Sequence, residues 1–352
     1  MRLTCPLTGD TGYEETTIAV LRLLGRLEVV HTPILQALLF HQVSRRTMYT
    51  RLEELRTQRL IWTERVSWYR TPRSGRQRGV RPPPPPKQPQ VWGLTQRGRD
   101  VLGDMGAEPD ERSLAALKIR DLRQKPLSAL TIAHDLLAAW WCAAILVPVR
   151  DNTLVRSIFC QVEFVSHARQ RMDALMVLRL RREGSVRSAT EVGTIPWFDG
   201  SDRHPDEPEI RLALEIDRGT EQLTTLLDKS ICYRDLHKDG TYARTLGGPV
   251  MPVFVVPTWR RAGQIASEWQ HGWHRGWGLI ATTTSADHAE DGPLWGEYKS
   301  LREGDQGQRM PVLTRLVVNA LGEVSFVPAV TQAVWKAHHV PPVHLETTEE
   351  ER

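Results

Sequence analysis

The sequence predicts a mixed α/β protein, α+β overall, in two units, and three observations carry the prediction. Residues 16–102 hold three amphipathic helices, two short apolar strands and a last short helix. Residues 129–284 alternate helix and strand in the order α-β-β-β-α-β, then α-β. Charge divides along the same line: residues 1–103 carry 17 Lys+Arg against 8 Asp+Glu, the remainder 29 against 34. A net charge of +4 thus conceals a +9 unit and a −5 unit, as expected when one part meets a polyanion and the other has a different task.

In the first unit, Ile18, Leu21, Leu24 and Leu27 recur at helical spacing. Thr32-Pro33 starts a second helix, with Thr32 as N-cap and Pro33 at the first helical position. Ser44 caps a third, Arg45 to about Gln58, with Met48, Leu52 and Leu55 inward and Arg45, Arg46, Tyr49 and Thr50 outward. Leu60-Ile61-Trp62 with Val66–Tyr69, and then Val91–Leu94, read as two strands. Thr95 caps a last helix, Gln96 to Leu102, in the pattern LTxxGxxxL. Three helices and a ribbon make a winged helix over 1–103, with residues 71–90 as a basic, Pro-rich wing insertion.

Such a helix fits the DNA major groove, where Arg reads guanine edges. Arg45 and Arg46 also sit where helix N–H groups favour phosphate. The wing tip supplies Arg73, Arg76, Arg78 and Arg81 as phosphate or minor-groove contacts. Double-stranded DNA is therefore the expected partner. A protein-binding winged helix with a merely solvated wing is the alternative.

Residues 104–128 are polar and charged, and read as a linker with one helix around Ser113–Arg123. Leu127–Val149 is long enough to cross a bilayer. Adjacent His134 and Asp135 would be costly in lipid, so a core helix, Ala129 to Ile145, is expected and no membrane. Strands follow at Arg156–Val165, Met172–Leu180 and Arg211–Ile216, with 183–208 as a long polar loop. Thr220–Leu236 is an amphipathic helix with Leu223, Leu226, Leu227 and Ile231 inward. Val250–Val256 is an apolar strand, Ala262–Trp273 a helix and Leu279–Thr284 a strand. Residues 331–352 form an acidic tail.

Asp173 opens one strand, and Glu215 and Asp217 lie two residues apart on the next, hence on one face. Lys229 and Tyr233 follow one helical turn apart. Carboxylates grouped without partners repel, and Mg2+ or Mn2+ is the usual remedy with oxygen ligands. Asp173, Glu215 and Asp217 are thus candidate metal ligands, and with Lys229 and Tyr233 candidate catalytic residues. A metal there could activate a water against a phosphodiester. Each residue also has an ordinary reading: Asp217 to Glu221 as a strand-to-helix turn capped by Thr220, Lys229 as a solvated helix residue, and His134 as a satisfied buried imidazole.

Asp173, Glu215 and the α-β-β-β-α-β order resemble the PD-(D/E)xK nuclease superfamily, which implies a restriction-endonuclease-like αβββαβ domain over 129–330. More closely, Arg171-Met172-Asp173-Ala174, the run Leu214-Glu215-Ile216-Asp217-Arg218-Gly219-Thr220-Glu221, Lys229 and Tyr233 resemble the bacterial replication-relaxation family. His134-Asp135-Leu136, Val253–Pro257 followed by Arg260 and Arg261, and Pro293-Leu294-Trp295-Gly296 are similar too. The resemblance spans about residues 16–300 and implies plasmid or mobile-element DNA replication and relaxation. Met172 stands where the family has Pro, and Asp217 where the nucleases have Lys.

Hydrophobic residues at 40%, charged at 25% and a mean hydropathy of −0.37 exclude a fibrous, wholly disordered or multispan membrane chain. Four scattered cysteines with no C-x-x-C, and no apolar leader, suggest a reduced, cytoplasmic protein. Two functions are expected: a DNA-binding replication/relaxation protein that nicks or cleaves DNA with a divalent metal, or a non-catalytic adaptor. In the second, the nuclease-like unit serves homodimerisation or docks other replication or mobilisation proteins.

Overall fold

The computed structural model describes residues 15–65, 90–104, 129–151, 155–167, 170–180, 194–198, 209–282 (save 218, 220, 257 and 275–277) and 299–300. Val66–Tyr69, the wing tip with Arg73, Arg76, Arg78 and Arg81, the helix expected around Ser113–Arg123, Thr220, Pro293–Gly296 and the acidic tail lie outside them.

The first elements are α1 (Glu15–Leu27), β1 (Val29–His31), α2 (Thr32–Leu38), α3 (Arg45–Thr57), β2 (Ile61–Arg65), β3 (Gln90–Leu94) and α4 (Gln96–Asp104). The strands form an antiparallel sheet in the order β1-β3-β2. With the helices this is the element order of a winged helix. The strand β1 is an addition to the expected elements: three residues carry too little periodicity to register, and Glu28, at φ 61°, turns the chain into it. Thr32 is not the cap of α2. The N-cap is His31, without a side-chain bond. The Thr32 hydroxyl instead donates to Gln90 O (3.3 Å) and accepts from Trp92 Nε1 (2.9 Å), because that buried indole needs an acceptor. Ser44 does cap α3, accepting the Thr47 N–H at 3.1 Å. Met48, Leu52 and Leu55 are buried as expected.

The LTxxG run is a lock. Thr95 Oγ1 lies 2.5 Å from Arg59 O and 3.0 Å from Leu60 O, and accepts the Gly98 N–H at 3.1 Å. A Cβ on Gly98 would stand 2.1 Å from Leu60 O, so only glycine lets α4 approach that turn.

The second unit comprises α5 (Ala129–Asp151), β4 (Val155–His167), β5 (Gln170–Leu180), β6 (Glu209–Ile216), α6 (Leu223–Lys238), α7 (Thr241–Leu246), β7 (Met251–Val256), α8 (Trp259–Gly272), β8 (Leu279–Thr282) and β9 (Lys299–Ser300). Six strands run in the order β4-β5-β6-β7-β8-β9. The first three are antiparallel, β6-β7-β8 are parallel and β9 is antiparallel. Along the outer strand β4, part of the expected loop pairs instead: Ile158 N donates to Pro196 O (2.7 Å) and Phe198 N to Ile158 O (2.9 Å).

Alternation on β6 sets two faces. Leu212, Leu214 and Ile216 join the core with α5, while Ala213 joins that of α6 and α8. The face of α6 is turned from the expected one. Leu226, Ser230, Tyr233 and Leu236 are buried, and Leu223 is exposed. The helix starts at Leu223 rather than Thr220, with Gln222 as N-cap, so Leu223 sits in an open first turn.

The core runs without a break from α1–α3 through α5 to the larger sheet. Three polar and cationic contacts cross the same seam. The buried Arg150 donates to Ala37 O (2.6 Å), Gln161 Nε2 donates to Gly25 O (3.3 Å), and the Arg26 guanidinium lies over the Phe159 ring at 4.8 Å. Among the described residues, no helix is long and apolar enough to cross a membrane.

Candidate functional site

Two places gather the expected residues. On α3, Arg45, Arg46, Tyr49 and Thr50 are all exposed. The helix divides electrostatically. Arg51 pairs with Glu54 at 3.1 Å and Arg56 with Glu53, whereas the first turn carries Arg45 and Arg46 with no acidic partner among the described residues. Thr50 is less available than expected, since its hydroxyl donates to Arg46 O at 3.1 Å.

The second place lies where β5, β6, α5 and α6 meet. Glu215, only 1% exposed, accepts from Tyr233 Oη at Oε1 (2.7 Å) and from Lys229 Nζ at Oε2 (2.9 Å). Lys229 also reaches Glu221 Oε1 at 3.0 Å. Asp173 Oδ2 accepts the Ile216 N–H at 2.5 Å and lies 3.3 Å from His134 Nε2, while His134 Nδ1 lies 3.4 Å from Asp135 Oδ1. The Tyr233 ring is fixed by aromatic neighbours, Trp269 at 5.6 Å and Tyr242 at 6.2 Å.

Asp173, Glu215, Lys229 and Tyr233 therefore converge, and His134 joins them. Asp217 does not. Just past the end of β6, its Oδ1 accepts the Gly219 N–H (2.8 Å) and its Oδ2 meets Arg261 Nε (2.5 Å). Arg261 also donates to Glu221 O, tying α8 to the loop before α6. Residue spacing alone assigns neither Arg261 as partner of Asp217 nor Glu221 as partner of Lys229. The only local sign of either is its place beside other motif residues. Glu163, on β4, pairs with Arg171 of β5.

Burial disfavours a charge on His134, yet Asp135 and Asp173 outweigh it and raise its pKa to about 10. Burial pushes Glu215 up to about 7, opposed by Lys229 and reinforced by Asp173. Burial alone would raise Asp173, but His134, Lys229 and the Ile216 N–H hold it below its ordinary value. Lys229 is desolvated too, and Glu215, Asp173 and Glu221 still drive its pKa upward. Burial and Glu215 keep the Tyr233 phenol far above its ordinary value, so it is a neutral donor at pH 7.

The repulsion between grouped carboxylates is thus answered from within, by an ammonium and an imidazolium. This donor set does not fit a divalent cation. Both Glu215 oxygens are engaged, Lys229 stands against one of them, and Asp217 faces Arg261. Among the described residues, no three His, Cys, Asp or Glu side chains converge as metal ligands.

A basic helix face, joined through one core to a six-stranded sheet that gathers Asp173, Glu215, Lys229 and Tyr233, defines a mixed α+β protein. The chain belongs to the replication-relaxation family, which matches residues 21–250. That range includes α3 and every cluster residue but ends before Arg261. Membership supports a role in plasmid or mobile-element replication or relaxation, and implies DNA and replication-associated partners. No curated protein and no solved structure matches the chain.

Proposed function

We propose that this chain is a duplex-DNA-binding adaptor of plasmid or mobile-element replication or relaxation. The observation that carries the reading is the charge division of α3. Its exposed first turn holds Arg45 and Arg46, without an acidic partner among the described residues, ahead of a self-neutralised second half. Guanidinium groups at the start of a capped helix suit guanine edges and phosphates. The basic segment with Arg73, Arg76, Arg78 and Arg81 adds phosphate contacts in this reading.

The α/β unit then serves partner docking or homodimerisation rather than strand scission. The internal neutralisation of Asp173 and Glu215 favours this over a Mg2+ or Mn2+ nuclease. Fluorescence anisotropy with a labelled duplex, over a range of salt, tests the DNA reading. Arg45→Ala/Arg46→Ala is expected to weaken binding and to flatten the slope of log K against log[salt] by roughly 0.9 for each phosphate no longer neutralised. Affinity and slope both unchanged would overturn it.

A further inference from the structure

Four large hydrophobic side chains are exposed among the described residues: Val43, Tyr49, Leu223 and Trp259. The first two accompany the basic helix α3. The other two open α6 and α8, the helices that follow the parallel strands β6 and β7, so both lie at the same edge of the sheet. Arg261 brings these turns together. It sits two residues after Trp259 and donates to the carbonyl of Glu221, two residues before Leu223.

The surface is unusual for the acid-rich half of the chain. Residues 222–225 and 258–260 are exposed and include no carboxylate. Their one charge is Arg260, which has no ion pair among the described residues. Trp259 is 39% exposed. Thr258 already caps the helix end by accepting the Arg261 N–H at 3.2 Å, so the side chains rather than the terminus form the surface. An exposed indole beside a guanidinium matches a base that stacks and a phosphate that follows it.

We propose that the Leu223–Trp259–Arg260 face binds single-stranded DNA, separately from the duplex contact of α3. The choice of polymer rests on the DNA reading above; the surface itself does not. The test uses the full chain, a fluorescein-labelled oligothymidylate and a labelled duplex. Trp259→Ala is expected to weaken oligothymidylate binding by about tenfold, from the value of one stacked base. Trp259→Tyr should retain it, and duplex affinity should not change in either variant. Arg45→Ala/Arg46→Ala should do the converse, so failure of one reading is told apart from failure of the other. Absence of oligothymidylate binding in the wild type, or binding indifferent to Trp259→Ala, overturns the proposal. So does a Trp259→Ala variant that loses only self-association in sedimentation velocity, which would make the face a contact between copies of the chain.

Discussion

Lys229 donates to Glu215 across 2.9 Å, one residue on α6 and the other on the preceding strand β6. The ammonium thus occupies the place beside the buried carboxylate where grouped acidic residues would call for a cation from solution. Removing one partner of a buried pair leaves the other uncompensated, which is worse than removing both.

Lys229→Met is accordingly expected to destabilise the fold by about 3 kcal/mol in urea unfolding. Glu215→Gln in the same chain should recover most of that stability, since the neutral amide still accepts from Tyr233. A double variant as unstable as Lys229→Met alone would mean that the ion pair is not what the lysine contributes.

Stability should fall as the solution becomes alkaline. The raised His134 pKa means that its stabilising contribution is complete below about 6.5 and lost as pH passes through about 10. Denaturant midpoints between pH 7 and 10 should slope downward, by up to about 1.4 kcal/mol per pH unit. His134→Gln should remove most of that slope while lowering stability at pH 7. An equal slope in the variant would show that His134 does not titrate there.

Supercoiled plasmid incubated with the protein should look the same in Mg2+, Mn2+ or EDTA. Cation-dependent nicking that disappears in Asp173→Asn, with the fold intact by circular dichroism, would restore the metal-dependent nuclease and refute the adaptor.

Gly98→Ala should cost about 2 kcal/mol despite the better helix propensity of alanine, because the new methyl meets a backbone carbonyl that cannot give way. A neutral or stabilising result in thermal unfolding would mean that α4 shifts freely.

Long periodic elements are legible in the sequence. The helices α1, α3, α4 and α5 and the strands β5, β6 and β7 follow from residue spacing and from Ser44 and Thr95 as caps of α3 and α4. Short elements are not: β1 exists because β3 offers it a partner, and residues 194–198 pair because β4 has an open edge. Neither signal is local. In the site, period two puts Glu215 and Asp217 on one side, and helical spacing brings Lys229 and Tyr233 along. Spacing does not reveal that β6 ends at Ile216, which frees Asp217 to meet an arginine on α8. The inward face of α6 escapes it for a related reason. Counting apolar residues favours Leu223, whereas the polar demand of Glu215 rotates Tyr233 inward.

The unbroken core through α5 has a geometric corollary. Large apolar seams resist hinge motion, and this one is further fastened by Arg150, Gln161 and Arg26. A DNA molecule gripped by α3 would therefore meet the α/β unit at a set distance and bearing, like work held against a set-square. Spacing between contacts along the DNA, rather than the strength of either contact alone, would then decide which sites the protein accepts.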